Sequence, residues 1–139
     1  MNKEDVLAFI KTKQHAVIST VAADGCPEAA LIGFGETDEY ELIFGTYTTS
    51  RKYTNLKHNK TVAFVIGWDE DAITVQYEGI ASELDHSEWE QYLSLYHKKV
   101  PSAVVFKTHP DQSYWKVTPR FIRYSDFSGE TPVVVEFTF

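Results

Sequence analysis

Most of the apolar, β-branched segments in this chain are joined by turns too short for a parallel crossover, which needs a dozen or more residues. The segments must therefore pair mainly antiparallel. His15-Ala-Val-Ile-Ser-Thr-Val21 alternates with a two-residue period, Ala23-Asp24-Gly25 signals a turn, and Glu28–Phe34 is the natural returning strand. Polar Glu36–Glu39 precedes a strand over Tyr40–Thr46. Thr61–Gly67 and Ala72–Leu84 flank the turn Asp69-Glu-Asp71, with Gly79 marking a bulge or a close backbone approach. Tyr114–Tyr124 reads as strand, and Pro119 within it demands an edge or a bulge; Val133–Phe137 is the last strand. A sheet of that width curls on itself, so the pattern predicts a mainly β fold, a small barrel with short helices.

The helical period predicts three helices. Residues 3–13 carry Val6, Phe9 and Ile10 on one stripe behind the candidate N-cap Asn2; a second helix spans Ser50–His58. In residues 87–96 Trp89, Tyr92, Leu93 and Tyr96 fall at i, i+3, i+4 and i+7, a face expected to be core or interface. Pro101 ends that helix, and 102–110 shows no period. At 139 residues the expectation is a single domain, 1–139.

A formal charge of −7, with Arg51-Lys52 and Lys98-Lys99 the only tight cationic groupings, opposes nucleic-acid binding. The single cysteine, Cys26, allows no intrachain disulfide or cysteine-based metal cluster; its expected role is a passive thiol. The five histidines show no i, i+3 or i, i+4 pair, so no metal site is expected. Neither a secretory leader nor a membrane-spanning apolar run stands out, giving a soluble, cytoplasmic expectation with no membrane partner. Gly33-Phe-Gly35 lacks what a dinucleotide loop needs, and the acidic pairs at 38–39 and 69–71 read as solvated turns. Trp68 and Trp115 are expected in the core.

The chemistry concentrates in Thr46-Tyr-Thr-Thr49-Ser50-Arg51-Lys52, where a strand becomes a helix. Free N–H groups and the positive dipole end of a helix favour an anion, hydroxyls donate to it, and Arg and Lys neutralise it. These are the components of a phosphate cradle; a capped surface helix with solvated cations uses the same residues.

The order of elements, together with Thr46, three residues, then Ser50-Arg51-Lys52, and with Asn59 and Trp68 beyond, resembles the pyridoxamine 5′-phosphate oxidase-like family of FMN-binding split β-barrels over roughly residues 3–127. The resemblance implies a six-stranded antiparallel split barrel and a homodimer with flavin in a cleft between subunits. It implies FMN-binding roles for Thr46, Thr49, Ser50, Arg51, Lys52 and Thr74, with backbone amides near Leu31–Phe34 facing the flavin ring. A deazaflavin (F420) or no cofactor are the alternatives. The chain departs from the oxidases at Ala30 and Gly35, where they place Arg and Lys, at Thr74, where they carry Gln, and at Arg120–Tyr124, which lacks their substrate-gripping His. It looks closer to the short general-stress-protein-like members. The expected function is a flavin-dependent oxidoreductase acting on an unidentified small molecule, not on vitamin B6 phosphate; no side chain stands out as the proton donor. A non-enzymatic flavin-binding or sensing module, or a cofactor-free split-barrel dimer, is the competing expectation.

Overall fold

The computed structural model describes residues 1–139. Its elements, in chain order, are α1 (Lys3–Lys11), β1 (His15–Val21), β2 (Pro27–Gly33), β3 (Gly35–Glu36), β4 (Leu42–Tyr47), α2 (Arg51–His58), β5 (Thr61–Gly67), β6 (Ile73–Glu83), α3 (His86–Lys99), a 3-10 segment (Pro101–Phe106), β7 (Gln112–Asp126) and β8 (Val133–Thr138). Every strand pairing is antiparallel, in the order β2-β1-β5-β6-β7-β4-β3. The two ends of that order, β2 and β3, are joined in the chain through the single residue Phe34, so the sheet must curl until its ends meet. They meet without pairing, which leaves the barrel split.

The strand count is eight rather than six. The fifteen-residue β7 is long enough to serve two neighbours along one edge, β4 at residues 112–117 and β8 at 121–126, while β6 covers the other. Pro119 faces Gly79 where the β6–β7 register shifts, so the bulge absorbs the missing N–H. Gly79 also sits where a Cβ would lie 2.5 Å from the Thr118 carbonyl oxygen, so both readings of this glycine hold. Tyr40 departs from its expected strand: it takes φ 66° in the turn, and β4 starts at Leu42. Trp68 also departs from expectation, standing 59% exposed at φ 68° beside Phe127, whereas Trp115 is wholly buried.

Inside the barrel, alternate residues of the strands form the main core, and α1 adds Val6 and Ile10 through the stripe read from its period. Asn2 and Asp5 make a reciprocal capping box at its start. A second, smaller core lies outside the sheet, where Tyr92, Leu93 and Tyr96 of α3 pack on Ile43 and Tyr114. The Tyr77 hydroxyl, buried in the main core, shares its one proton between the carbonyls of Tyr40 and Val117, 2.9 and 3.0 Å away. Tyr77→Phe leaves both acceptors short of a donor and is expected to lower stability by about 1–3 kcal/mol, read from urea denaturation midpoints.

Candidate functional site

The Thr46–Lys52 run forms as its residue types dictate. Ser50 leaves the helix as an N-cap and accepts from the Tyr53 amide at 3.2 Å, and its oxygen lies 2.7 Å from Thr46 Oγ1. When Thr46 supplies the proton between them, the Ser50 hydroxyl hydrogen is free for a ligand. The amides of Arg51 and Lys52, first in α2, have no partner in the chain, as expected for the opening turn of a helix.

Thr46, Ser50 and Lys52 open into one cleft of about 420 Å³ with Gly33 of β2 and Tyr114 of β7. No carboxylate lines it, and Lys52 is its only Lys or Arg. The Lys52 ammonium is half-buried and makes no ion pair; burial, then repulsion from Arg51, lowers its pKa from the usual value. A cation held in this way stands to gain from an anion.

The remaining residues expected at the site stand apart from this cleft. Arg51 turns outward, its guanidinium 3.1 Å from Glu28 and its side chain 76% exposed. Glu28 is fixed in turn by Asn55, which donates to it at 2.7 Å and to Thr20 at 3.0 Å. Thr49 is exposed in the turn before Ser50. Thr74 donates to the Ile66 carbonyl at 3.2 Å and pairs with Gly67, nine residues along β6 from Glu83. At ~3.3 Å per residue that is about 30 Å of strand from the end of β6 that pairs with Trp115 near the cradle. Within one chain, Thr74 and the cradle are not brought together.

The structure gives a reason for one departure. A Cβ at Gly35 would lie 2.8 Å from the Tyr96 Cα, so α3 fills the space where a Lys side chain would start. Ala30 packs half-buried against the main core.

Sequence reasoning missed the aromatic walls formed by Tyr47, Tyr114 and Phe106 from the 3-10 segment; Tyr96, expected in core or interface, packs in the second core and also reaches the cleft. One signal was available in Gly45, a glycine inside a strand. Its absent Cβ would lie 2.5 Å from Gln112 Nε2 and 2.9 Å from the Tyr114 ring, a close approach that only glycine permits.

A family model for pyridoxamine 5′-phosphate oxidase matches residues 3–126, which include the whole of the cradle and the barrel up to the end of β7. The chain belongs to the pyridoxamine 5′-phosphate oxidase family. A pyridoxine/pyridoxamine 5′-phosphate oxidase from Cyanothece sp. is 28% identical over 92 residues, 66% of this chain, and one from Burkholderia vietnamiensis is 29% identical over the same length. Each match spans only 43% of the relative. Among solved structures, General Stress Protein 26 from Bacillus anthracis superposes with a TM-score of 0.73 at 24% identity, covering 97% of this chain and 98% of its own. A heme binding protein from Mycobacterium smegmatis gives 0.79 at 17% identity, covering 93% of this chain and 54% of its own. The heme storage protein HutZ from Vibrio cholerae gives 0.75 at 16%, covering 98% and 93%. These likenesses establish the split-barrel fold of this pyridoxamine 5′-phosphate oxidase family member. No helix is long and apolar enough to cross a membrane.

Proposed function

We propose that this family member binds FMN by its phosphate at the Thr46–Lys52 cradle and serves as a flavin-dependent oxidoreductase for a small molecule in the cytoplasm. The observation that carries the reading is Lys52, a half-buried cation with no carboxylate partner, beside the free amides that open α2. The residues fit a phosphate: Lys52 offers the charge, the Ser50 hydroxyl and the α2 amides offer donors, and Thr46 holds Ser50 in place. Arg51 joins them by leaving Glu28, an exchange between two charge-assisted partners. When bound, FMN supplies the electron chemistry; the protein binds, orients and shields it.

The homodimer belongs to the same proposal. Leu31, Val17 and Val65 stand opposite one another across β2, β1 and β5, and Ala29, Ser19 and Ala63 form a second row on the same outer face. Leu31 is 72% exposed and Val65 43%, an apolar stripe suited to a second copy. In such a dimer Thr74 would approach the partner's flavin, which accounts for its distance from its own cradle.

The clash at Gly35 and the loss of two cations at positions 30 and 35 keep a weak-binding or cofactor-free dimer as the second reading. His15 on the cleft wall gives heme a specific foothold, an imidazole able to ligate iron. Titration of the purified protein with FMN, deazaflavin F420 and hemin separates these. Saturable quenching of flavin fluorescence is the expected result. A hemin Soret shift without flavin binding would replace FMN by heme, and no binding of any of the three would leave the cofactor-free dimer.

A further inference from the structure

Two buried side-chain atoms in the molecule lack a hydrogen-bond partner, Tyr114 Oη and His97 Nε2. Their rings, His97 from α3 and Tyr114 from β7, meet edge to face with centroids 6.2 Å apart. Within the second core the other phenols are satisfied: Tyr96 donates to the Gly33 carbonyl at 3.3 Å and Tyr92 accepts from Lys116 at 3.2 Å; in the main core Tyr77 shares its proton between two carbonyls. An orphaned hydroxyl carries a desolvation cost with nothing in return unless something outside the chain takes its proton.

Tyr114 is only 1% exposed, yet it lines the cleft. Its ring lies against Gly45, and Tyr47, Tyr96 and Phe106 complete an aromatic wall. This end carries no charge. Burial pushes Tyr114 up to about 12, so it stays a neutral donor. Burial and Lys107 push the His97 pKa down, favouring the neutral imidazole. A charged group would be desolvated here without compensation, whereas a flat ring meets flat walls and a carbonyl oxygen meets an unused O–H.

We propose that the aromatic end of the cleft holds an uncharged planar ring by a carbonyl oxygen that accepts from the Tyr114 hydroxyl. The inference rests on the reading of this cleft as the ligand site. The ring belongs either to the phosphate-bearing flavin or to a separate substrate, and the two sources share the same recognition chemistry.

Tyr114→Phe removes the hydroxyl and keeps the ring. Three measurements on the full chain test it: thermal melting without ligand, fluorescence titration with FMN, and titration with duroquinone against durene, its carbonyl-free counterpart. The unliganded variant should melt at or above the wild-type temperature. A drop would show that the hydroxyl has a structural partner and would overturn the proposal. Affinity should fall about three- to tenfold, the effect of one neutral hydrogen bond, for FMN if the ring is the flavin's own, or for duroquinone alone if it is a second molecule. Durene should bind both proteins equally. Unchanged affinity for FMN and duroquinone alike sinks the inference while leaving the cradle intact. If wild type binds duroquinone but not FMN, the flavin assignment fails and the duroquinone comparison still decides the role of Tyr114.

Discussion

Replacing Arg51 and Lys52 together by alanine is expected to weaken FMN binding by about a hundredfold. Each charge-assisted contact is worth about 1.5–3 kcal/mol, and about 1.4 kcal/mol is tenfold in affinity, so two contacts span roughly two to four orders of magnitude. The two cations do not contribute alike. Lys52 already sits in the cleft without a partner, so all of its attraction is available to the ligand. Arg51 must first give up Glu28, and part of its gain is offset there. The unliganded variant should lose little stability. The Arg51–Glu28 pair is exposed on the arginine side, where such pairs contribute about 0–1 kcal/mol. Lys52, with its folded pKa below the usual lysine value, binds its proton less readily folded than unfolded, so its charge opposes folding at neutral pH. That opposition fades as pH rises through the folded pKa, and removing the ammonium removes it at neutral pH. A fluorescence titration showing wild-type affinity in the double variant, with an unchanged melting temperature, would place the phosphate elsewhere.

Local chemistry was legible wherever a residue's own constraint decides its conformation. Pro119 cannot donate to a neighbouring strand and Gly79 has no Cβ, and the two meet at one bulge because each removes the other's obstacle. Asn2 and Ser50 cap α1 and α2 because short polar side chains satisfy the free amides at hand. Tyr40 was misread because its aromatic ring favours strand in isolation, while the turn closing β3 onto β4 requires a positive φ at that point. Trp68 was misread for a similar reason: a large apolar ring suits a core, but its backbone lies in the β5–β6 turn, outside the barrel. The cleft was half legible. Its cradle is continuous in sequence, from Thr46 to Lys52. Its aromatic wall comes from β4, α3, the 3-10 segment and β7, which the long-range pairing of β4 with β7 and the packing of α3 on that pair bring together, and no local spacing encodes that convergence.

Trp115→Ala should cost about 3–5 kcal/mol, the usual range for truncating a buried tryptophan and a large part of the 5–15 kcal/mol that holds a typical domain together. The ring is wholly buried in the main core, with Tyr53 of α2 edge-on at 5.9 Å, so its removal leaves a cavity that the sheet cannot collapse to fill. The loss should also reach the site. Trp115 Nε1 donates to Ser113 Oγ at 3.1 Å, Ser113 donates to the Thr46 carbonyl at 2.6 Å, and Thr46 Oγ1 lies 2.7 Å from the capping Ser50 oxygen. This chain of contacts runs from the centre of the barrel to the first turn of α2. The cradle's hydroxyls are therefore positioned by the core rather than by the loop that bears them. Urea denaturation should show the midpoint falling steeply, and FMN titration of the fraction still folded should show weaker binding although no residue of the cradle has changed. A variant that loses the stability but binds FMN as tightly as wild type would mean that α2's own cap holds the cradle, and that the contacts through Ser113 serve only the core.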